Sequence, residues 1–472
     1  MSSDQVALLE TAKRIHFIGI GGVGMSGLAA VMHALGRKVS GSDSSSSSYT
    51  ERLVQMGIEV YQDHKSGQGS DADVFVVSTA IRKDNPELLY AQENGIPILH
   101  RSDVMAYICN SRRGIAIAGA HGKTTTTGMV GKIFFENKLE PTLLIGALIP
   151  EIGSNAIYGR GPHGIAEADE SDGSFLKLRP MIGLVTNIED DHLDHYGSLE
   201  KLLESFVEFL EHILPEGHAV LCSDCVETLN LTKAKIPASI VRYGFLPEDD
   251  AQAVELEFDA KGSRFALIWR GEKLGIIQIP LPGRHNVLNA LGAATVALLE
   301  GISFDGIARA LATFHGAHRR FQWHGEVKGI QVIDDYAHHP TELRATLSAA
   351  RQTHPEGRIV AIFQPHRYSR TRQLGQEFGQ AFSDADVVVL TDIYSAGEEP
   401  LPGIDGAYLI QKIEEESKHR PHYIPQWQEI AVQIISVVQP GDLVLTLGAG
   451  SINQVAPRIL EALRAQGTGE DE

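Results

Sequence analysis

Two glycine turns carry the residues that could do chemistry. Ile117-Ala118-Gly119-Ala120-His121-Gly122-Lys123-Thr124 follows an apolar strand and opens a helix. In such a turn backbone N–H groups cradle phosphates, Lys123 reaches the β and γ oxygens, and the Thr124 hydroxyl can ligate Mg²⁺. The full spacing G-x-x-x-x-G-K-[ST] needs glycine at 117, where Ile117 stands, so the loop is a shortened variant with Gly119 and Gly122. The other turn, Gly19-Ile20-Gly21-Gly22-Val23-Gly24, matches G-x-G-x-x-G, and the strand after it closes on Ser42-Asp43. Its glycines admit a pyrophosphate to a helix N-terminus, and the acid can take a ribose hydroxyl. Alone the turn suggests NAD, yet its physical content is a diphosphate, whatever molecule carries it. A hydride-transfer enzyme has no use for the Gly-Lys-Thr loop, so the pair points to ATP-driven chemistry.

Two acidic clusters follow apolar runs. Glu167-Ala168-Asp169-Glu170-Ser171-Asp172 is one, and Thr186-Asn187-Ile188-Glu189-Asp190-Asp191-His192-Leu193-Asp194-His195 is the other. Strand ends beside a phosphate loop are where oxygen ligands for Mg²⁺ belong. Further on, Arg319-Arg320, Asp334-Asp335-Tyr336-Ala337-His338-His339-Pro340 and His366-Arg367-Tyr368-Ser369-Arg370-Thr371-Arg372 gather arginines and histidines fit for a carboxylate or phosphate. Cys222-Ser223-Asp224-Cys225 lacks the second pair a zinc site needs and reads as two ordinary thiols.

These motifs need a frame, and the apolar runs supply one. Strands at Arg14–Ile18, Lys38–Ser40 and Asp73–Ser78 alternate with helical stretches, with Ser44–Ser48 as a loop. A second series starts at strand Gly114–Ala118 with helix Thr125–Asn137, strands Ile182–Thr186 and His218–Leu221, and an amphipathic helix Leu199–Leu214. Residues 251–281 alternate as antiparallel strands do, with turns at Lys261-Gly262 and Arg270-Gly271, and a helix runs from Asn286 to Leu299. Strands Val332–Asp334, Ile359–Phe363, Val387–Thr391 and Leu443–Leu447 form a third series. Strand–helix alternation predicts parallel α/β sheets. At 472 residues, three domains are expected, 1–112, 113–317 and 318–472. The tail from Gly467 to Glu472 should fray.

Composition excludes several classes. The net charge of −19 repels a phosphate backbone and argues against nucleic-acid binding. Three cysteines are too few for a disulfide-built secreted protein. No signal peptide and no span of roughly 20 apolar residues is visible. A cytoplasmic protein with no membrane partner is expected.

In order along the chain, Gly119–Thr127, Glu167–Leu176, Asp191-His192-Leu193-Asp194, Gly283-Arg284-His285-Asn286-Val287-Leu288-Asn289-Ala290, Arg319-Arg320-Phe321-Gln322, Asp334–Pro340 and Phe363–Thr371 resemble the Mur ligases of peptidoglycan synthesis. The resemblance spans nearly the whole chain. It implies an N-terminal Rossmann-like domain for a UDP-sugar, a central P-loop ATPase-type domain, and a Rossmann-like C-terminal domain that closes on ATP and binds an amino acid. UDP-N-acetylmuramate and L-alanine are the implied substrates, with ATP and Mg²⁺. Gly19, Gly21, Gly22, Gly24, Ser42 and Asp43 would then serve the UDP-sugar. Gly119, Ala120, His121, Gly122, Lys123, Thr124 and Thr125 would hold the ATP phosphates. Thr124, Glu170 and His192 resemble metal ligands, and His285, Asn286 and Asn289 the residues around adenine. Arg320 resembles the arginine on the γ-phosphate and Asp335 the acid on the ATP ribose. Tyr336, His338, His339, Arg367 and Arg370 would lie toward the amino acid and the muramyl carboxylate. Lys123, Glu170, His192, Arg320, His338 and Arg367 are the implied catalytic set, with His338 a candidate base. The family usually has Thr where Ala120 stands and Asp where Ser451 stands.

Overall fold

The computed structural model describes residues 2–150, 153–191, 193–259 and 261–465. It divides into two compact units. One comprises Met1–Val254, Ala266–Ile277 and Leu288–Ala312, and the other Glu255–Phe265, Gln278–Val287 and Thr313–Glu472.

The first unit opens with short strands, the central ones buried on both faces, as helices covering both sides of a parallel sheet require. β1 (Arg14–Ile18), β2 (Lys38–Ser42), β3 (Glu59–Tyr61), β4 (Val74–Val77) and β5 (Ile98–His100) pair in the order β3-β2-β1-β4-β5, all parallel. The order reverses between β1 and β4, which opens a crevice at the strands' carboxyl ends. Helix Val23–Ala34 starts directly after the first glycine turn. Ser44–Ser47 form the expected loop, which ends where Ser47 caps helix Ser48–Gln55 through a capping box with Thr50, because a serine hydroxyl satisfies a first-turn N–H.

In the same unit a second parallel series surrounds β6 (Arg113–Ala118). With β7 (Thr142–Ile149), β8 (Ser154–Ile157), β9 (His163–Glu167), β10 (Ile182–Val185), β11 (His218–Cys222) and β12 (Ser239–Gly244) the order is β12-β11-β10-β6-β9-β7-β8. Only β7 and β8 in this run pair antiparallel. β13 (Ala251–Asp259), β14 (Gly262–Trp269) and β15 (Glu272–Ile279) follow one another closely in sequence, and Gly262 opens a strand instead of sitting in a turn. Both sheets of the first unit share one core, in which Val104, Met105 and Ile108 of helix Arg101–Asn110 and Phe175, Phe206 and Phe209 take part.

The second unit holds β16 (Gln322–Val327), β17 (Ile330–Asp335), β18 (Ile359–Phe363), β19 (Val387–Leu390), β20 (His422–Tyr423) and β21 (Leu443–Leu447), in the order β16-β17-β21-β18-β19-β20. Ile359, Ala361 and Phe363 point into one core cluster and Val360 and Ile362 into another, so helices cover both faces. Three α/β domains of this kind match the expected fold class. The tail from Gly467 lies outside the described residues. No helix among the described residues is long and apolar enough to cross a membrane.

One polar knot sits in the apolar interior of the first sheet. His16 is fully buried on β1; Nδ1 is 2.9 Å from Ser40 Oγ and Nε2 is 2.7 Å from Glu87 Oε2. Glu87, itself fully buried, presents Oε1 to His64 Nδ1 at 2.8 Å, and the Ser42 hydroxyl is 2.9 Å from that same nitrogen. A buried carboxylate is tolerable only with such partners. Glu87→Ala should therefore cost about 3 kcal/mol locally. Hydrogen exchange of peptides spanning β1 and helix Pro86–Glu93 should lose protection by roughly 100-fold, and unchanged protection would show the knot to be dispensable.

Candidate active site

Three parallel strands deliver the phosphate-loop residues to one place. β6 lies between β9 and β10, with Ile117 beside Glu167 and Ala118 beside Val185. The chain turns sharply out of β6 at Gly119, whose φ is +127°; a Cβ there would stand 2.2 Å from Thr186 Oγ1. Gly122 takes a left-handed φ of +82° as N-cap of helix Lys123–Glu136, and a Cβ there would stand 2.4 Å from Asn289 Oδ1. Glycine is required at both positions by conformation and by space. Gly122 offers no side-chain cap, so the helix meets the loop with bare first-turn N–H groups and its positive dipole end.

The loop is latched from β10. Ala120 N donates to Asn187 O at 3.0 Å and His121 N to Asn187 Oδ1 at 2.9 Å. His121 O accepts from Thr186 Oγ1 at 2.6 Å and from Asn187 Nδ2 at 3.0 Å. Ala120 thus keeps every backbone role and lacks only the hydroxyl. His121 Nε2 stands 3.4 Å from Glu189 Oε2. Thr125 is buried in the helix's first turn, and Asn289 Oδ1 accepts from Thr126 Oγ1 at 3.2 Å.

Lys123 folds back into its own loop. Its ammonium donates to Gly119 O at 2.5 Å, Ala120 O at 3.1 Å and Glu170 Oε1 at 2.7 Å. Burial works against its charge, but Glu170, Asp169 and Glu167 outweigh burial and lift the pKa above the ordinary lysine value. For Glu170 burial is the larger influence: it pushes the carboxyl up to about 7 against the pull of Lys123. Thr124 Oγ1 donates to Glu167 Oε1 at 2.8 Å, and Glu167 Oε2 accepts from Gly146 N at 2.7 Å. A hydroxyl and two carboxylates around a helix N-terminus form the hard oxygen set a Mg²⁺ ion takes. Sequence places Glu167 within the acidic cluster but does not single it out. Strand alternation after an apolar run could have pointed to it, since it is the last residue of β9. His192 lies outside the described residues.

The first glycine turn borders a cleft of about 530 Å³ lined by Gly19, Gly22, Asp43, His64, Ser78 and Arg82, among others. Gly21 N donates to Asp43 Oδ2 at 2.9 Å, and a Cβ on Gly21 would stand 2.8 Å from that oxygen. Asp43 Oδ1 accepts from Ser45 N at 3.1 Å. Ser42 does not face the cleft. It is fully buried, its carbonyl takes the Gly19 and Ile20 N–H groups, and its hydroxyl meets His64. Gly24 lies in the helix's first turn beside Arg101.

The second unit gathers a separate cluster. Tyr336 lies under two guanidiniums, 5.0 Å from Arg319 and 5.2 Å from Arg320. Arg320 also meets Glu342 Oε1 at 3.3 Å, and its charge survives burial because Glu342 and Asp335 face it. Arg319 donates to Asp334 Oδ2 at 3.0 Å and to the Gly448 carbonyl, which ties β17 to the loop after β21. Ser451 sits beside Gln364 in that loop. Asp335 spends both oxygens locally, on Phe321 N at 2.7 Å and on Ala337 N at 2.8 Å, and burial pushes it up to about 6 despite Arg320. His339 N-caps helix Pro340–Thr353. His338 Nδ1 is 3.0 Å from Tyr336 O and 3.1 Å from Glu342 Oε2. His366 stacks on Tyr394 at 5.6 Å, with His338 on another side and Arg370 Nη1 3.4 Å from its Nδ1. Burial, helped by His338, Arg370 and Arg367, lowers His366 to about 3. Burial likewise lowers His285 to about 4, and Asn286 donates to Pro282 O at 2.8 Å. Arg367 has φ +71°, a strained conformation for a side-chain-bearing residue, and its N–H bonds Tyr394 O.

Among the described residues no cysteine belongs to a group of side chains placed to hold a metal ion. All three cysteines are free, and burial pushes Cys222 up to about 12.

Comparison with known proteins agrees along the chain. Residues 14–113 match the model of the Mur ligase family catalytic domain, 117–297 the Mur ligase middle domain, and 319–450 the Mur ligase glutamate ligase domain. The chain is 45% identical to the UDP-N-acetylmuramate–L-alanine ligase of Pelotomaculum thermopropionicum, covering 97% of this chain and 99% of that one. It is 45% identical to the enzyme of the same name from Geotalea daltonii, covering 96% and 98%. Among solved structures it is similar to the UDP-N-acetylmuramate-alanine ligase of Thermotoga maritima, with a TM-score of 0.81 and 29% identity over 96% of this chain and 99% of that one. It is also similar to a murein peptide ligase from Psychrobacter arcticus, with a TM-score of 0.71 and 25% identity over 96% and 98%.

The Lys123–Glu170 geometry sets an expectation. Lys123→Met should weaken nucleoside triphosphate binding about 100-fold or more. Without the ammonium the Glu170 carboxyl rises further above about 7 and is neutral at pH 7, so the loop stays packed and the melting temperature moves by only a few degrees. Titration with a fluorescent ATP analogue, beside a thermal melt, checks both; unchanged nucleotide affinity would remove Lys123 from the site.

Proposed function

The chain belongs to the Mur ligase family, and we propose on that premise that it joins the amine of L-alanine to the lactyl carboxylate of UDP-N-acetylmuramate with hydrolysis of ATP, a step in peptidoglycan precursor synthesis. The observation that carries this is the agreement, over nearly the full length, between a 45% identity to ligases of that name and a phosphate loop whose lysine is buried against a carboxylate. We assign the UDP-sugar to residues 1–112, ATP to 113–317 and the amino acid to 318–472. A cytoplasmic location fits, because ATP and UDP-sugars are supplied there.

The chemistry follows from the poor leaving ability of a carboxylate oxygen. An oxygen of the lactyl carboxylate attacks the γ-phosphorus and ADP leaves, giving an acyl phosphate. The neutral amine of L-alanine attacks the acyl carbon, and the tetrahedral intermediate expels inorganic phosphate as the amide forms. Lys123 and Arg320 stabilise the negative charge that builds on the phosphoryl oxygens. Thr124 and Glu170, with His192 assigned by resemblance, would hold Mg²⁺. When bound, that ion neutralises phosphate charge. Ala120, His121, Gly122 and Thr125 shape the phosphate cradle, while His285, Asn286, Asn289 and Asp335 are assigned to the nucleoside. Tyr336, His339, Arg367 and Arg370 are assigned to the carboxylates and the amino acid. His338 engages its Nδ1 with Tyr336 O and Glu342, so Nε2 is the nitrogen that can accept the amine proton.

Phosphate release should require UDP-N-acetylmuramate, L-alanine and Mg²⁺ together, with the alanyl product seen by mass. Release with a cell-wall tripeptide in place of L-alanine at an equal or higher rate would instead make the chain a murein peptide ligase. The pH dependence has a defined sign. A carboxyl raised to about 7 is protonated below that value, so kcat/KM should fall as the pH drops through about 7. His366, neutral above about 3, should add no ionisation in that range. An acid limb near 4.5 would show that Glu170 titrates as an ordinary glutamate.

A further inference from the structure

Arg101 is the first residue of helix Arg101–Asn110, at the carboxyl end of β5. Its side chain is 22% exposed. Nη2 donates to Asp169 Oδ2 at 3.0 Å and stands 3.5 Å from Asp172 Oδ2. Nη1 lies 3.5 Å from where a Cβ on Gly24 would stand, the nearest described atom apart from the glycine's chain neighbours and its own helix backbone. Gly24 belongs to the first turn of the helix that the glycine turn opens, and that helix has no side-chain cap. Asp169 is followed by Glu170, which Lys123 holds. Arg101 therefore stands between the glycine turn and the acids beside the phosphate loop, all within the first unit.

We propose that Arg101 binds the UDP-sugar, exchanging its Asp169 partner for an anionic oxygen of that substrate, either the distal phosphate or the lactyl carboxylate. This rests on reading the Gly19–Gly24 turn as the UDP-sugar site. The helix N-terminus attracts an anion, but a diphosphate and a carboxylate bring more charge than a dipole end balances. A guanidinium supplies a fork of donors matched to either group. The exchange is easy from the Asp169 side. The pair is part-buried, with side chains 22% and 34% exposed, so the exchange replaces one charge-assisted contact by another. Asp169 keeps the Ser171 N–H at 3.1 Å after Arg101 departs.

Calorimetric binding to the full chain tests this with two ligands, UDP-N-acetylmuramate and UDP-N-acetylglucosamine, which has the diphosphate but no lactyl carboxylate. Arg101→Gln should weaken UDP-N-acetylmuramate binding about 10-fold or more. Equal loss for both ligands identifies the phosphate as partner; loss for the muramyl ligand alone identifies the carboxylate. Asp169→Asn should tighten binding about 2- to 5-fold, and should do nothing in the Arg101→Gln background. If Arg101→Gln fails to fold, Arg101→Lys keeps the charge without the fork and should weaken binding a few-fold. Unchanged affinity in the arginine variants, or Asp169→Asn weakening binding as Arg101→Gln does, overturns the proposal and leaves a purely structural pair. Failure of the unaltered chain to bind either sugar overturns the reading of the site itself.

Discussion

The need to bury a lysine ammonium without losing its charge organises the first unit. Taking a cation out of water costs several kcal/mol unless neighbouring acceptors and opposite charges replace the solvent. Lys123 receives two loop carbonyls and the Glu170 carboxylate in that place. The carbonyls point inward only because the loop turns at Gly119 with a positive φ, close against Thr186. Glu167 and Glu170 reach the loop only because β9 runs parallel and adjacent to β6. A phosphate would meet the same ammonium by taking over from these internal acceptors, so the loop is already shaped around an anion.

The same accounting of polar groups separates binding surfaces from scaffold. In the first sheet the His16–Glu87–His64 chain satisfies a buried acid and adjoins the cleft through His64, with Ser42 joining it from β2. Ser42 and Asp43 adjoin in sequence, yet only Asp43 lines the cleft. In the second unit several of the named residues are pinned by local bonds: Asp335 by Phe321 and Ala337, Arg319 by Asp334, and His339 at a helix cap. The imidazoles differ in environment. His366 and His285 are held neutral by burial and nearby cations, whereas His338 faces a carboxylate.

Much of this is written locally in the chain. A phosphate loop is a contiguous run in which a strand, glycines, lysine and threonine act together, so its place and chemistry follow from spacing alone. Strand and helix positions follow from apolar periodicity, which also separates the chain into three α/β series. The net charge of −19 likewise argues against nucleic-acid binding as the main job. Other features depend on residues far apart in sequence. Its place at the end of an apolar run hints at Glu167, but only β9 set beside β6 brings it to the Thr124 hydroxyl. Asn187 reads as one polar residue in an acidic run, and only the β6–β10 pairing turns it into the latch of the loop. Arg101, a lone arginine at a helix start, gains meaning because tertiary packing brings Asp169 and Gly24 to it from either side. Sequence determined which groups can carry charge and where the chain turns. Tertiary structure decided which charges face each other, because electrostatic partnership depends on separation and burial, and neither is encoded within a single local run.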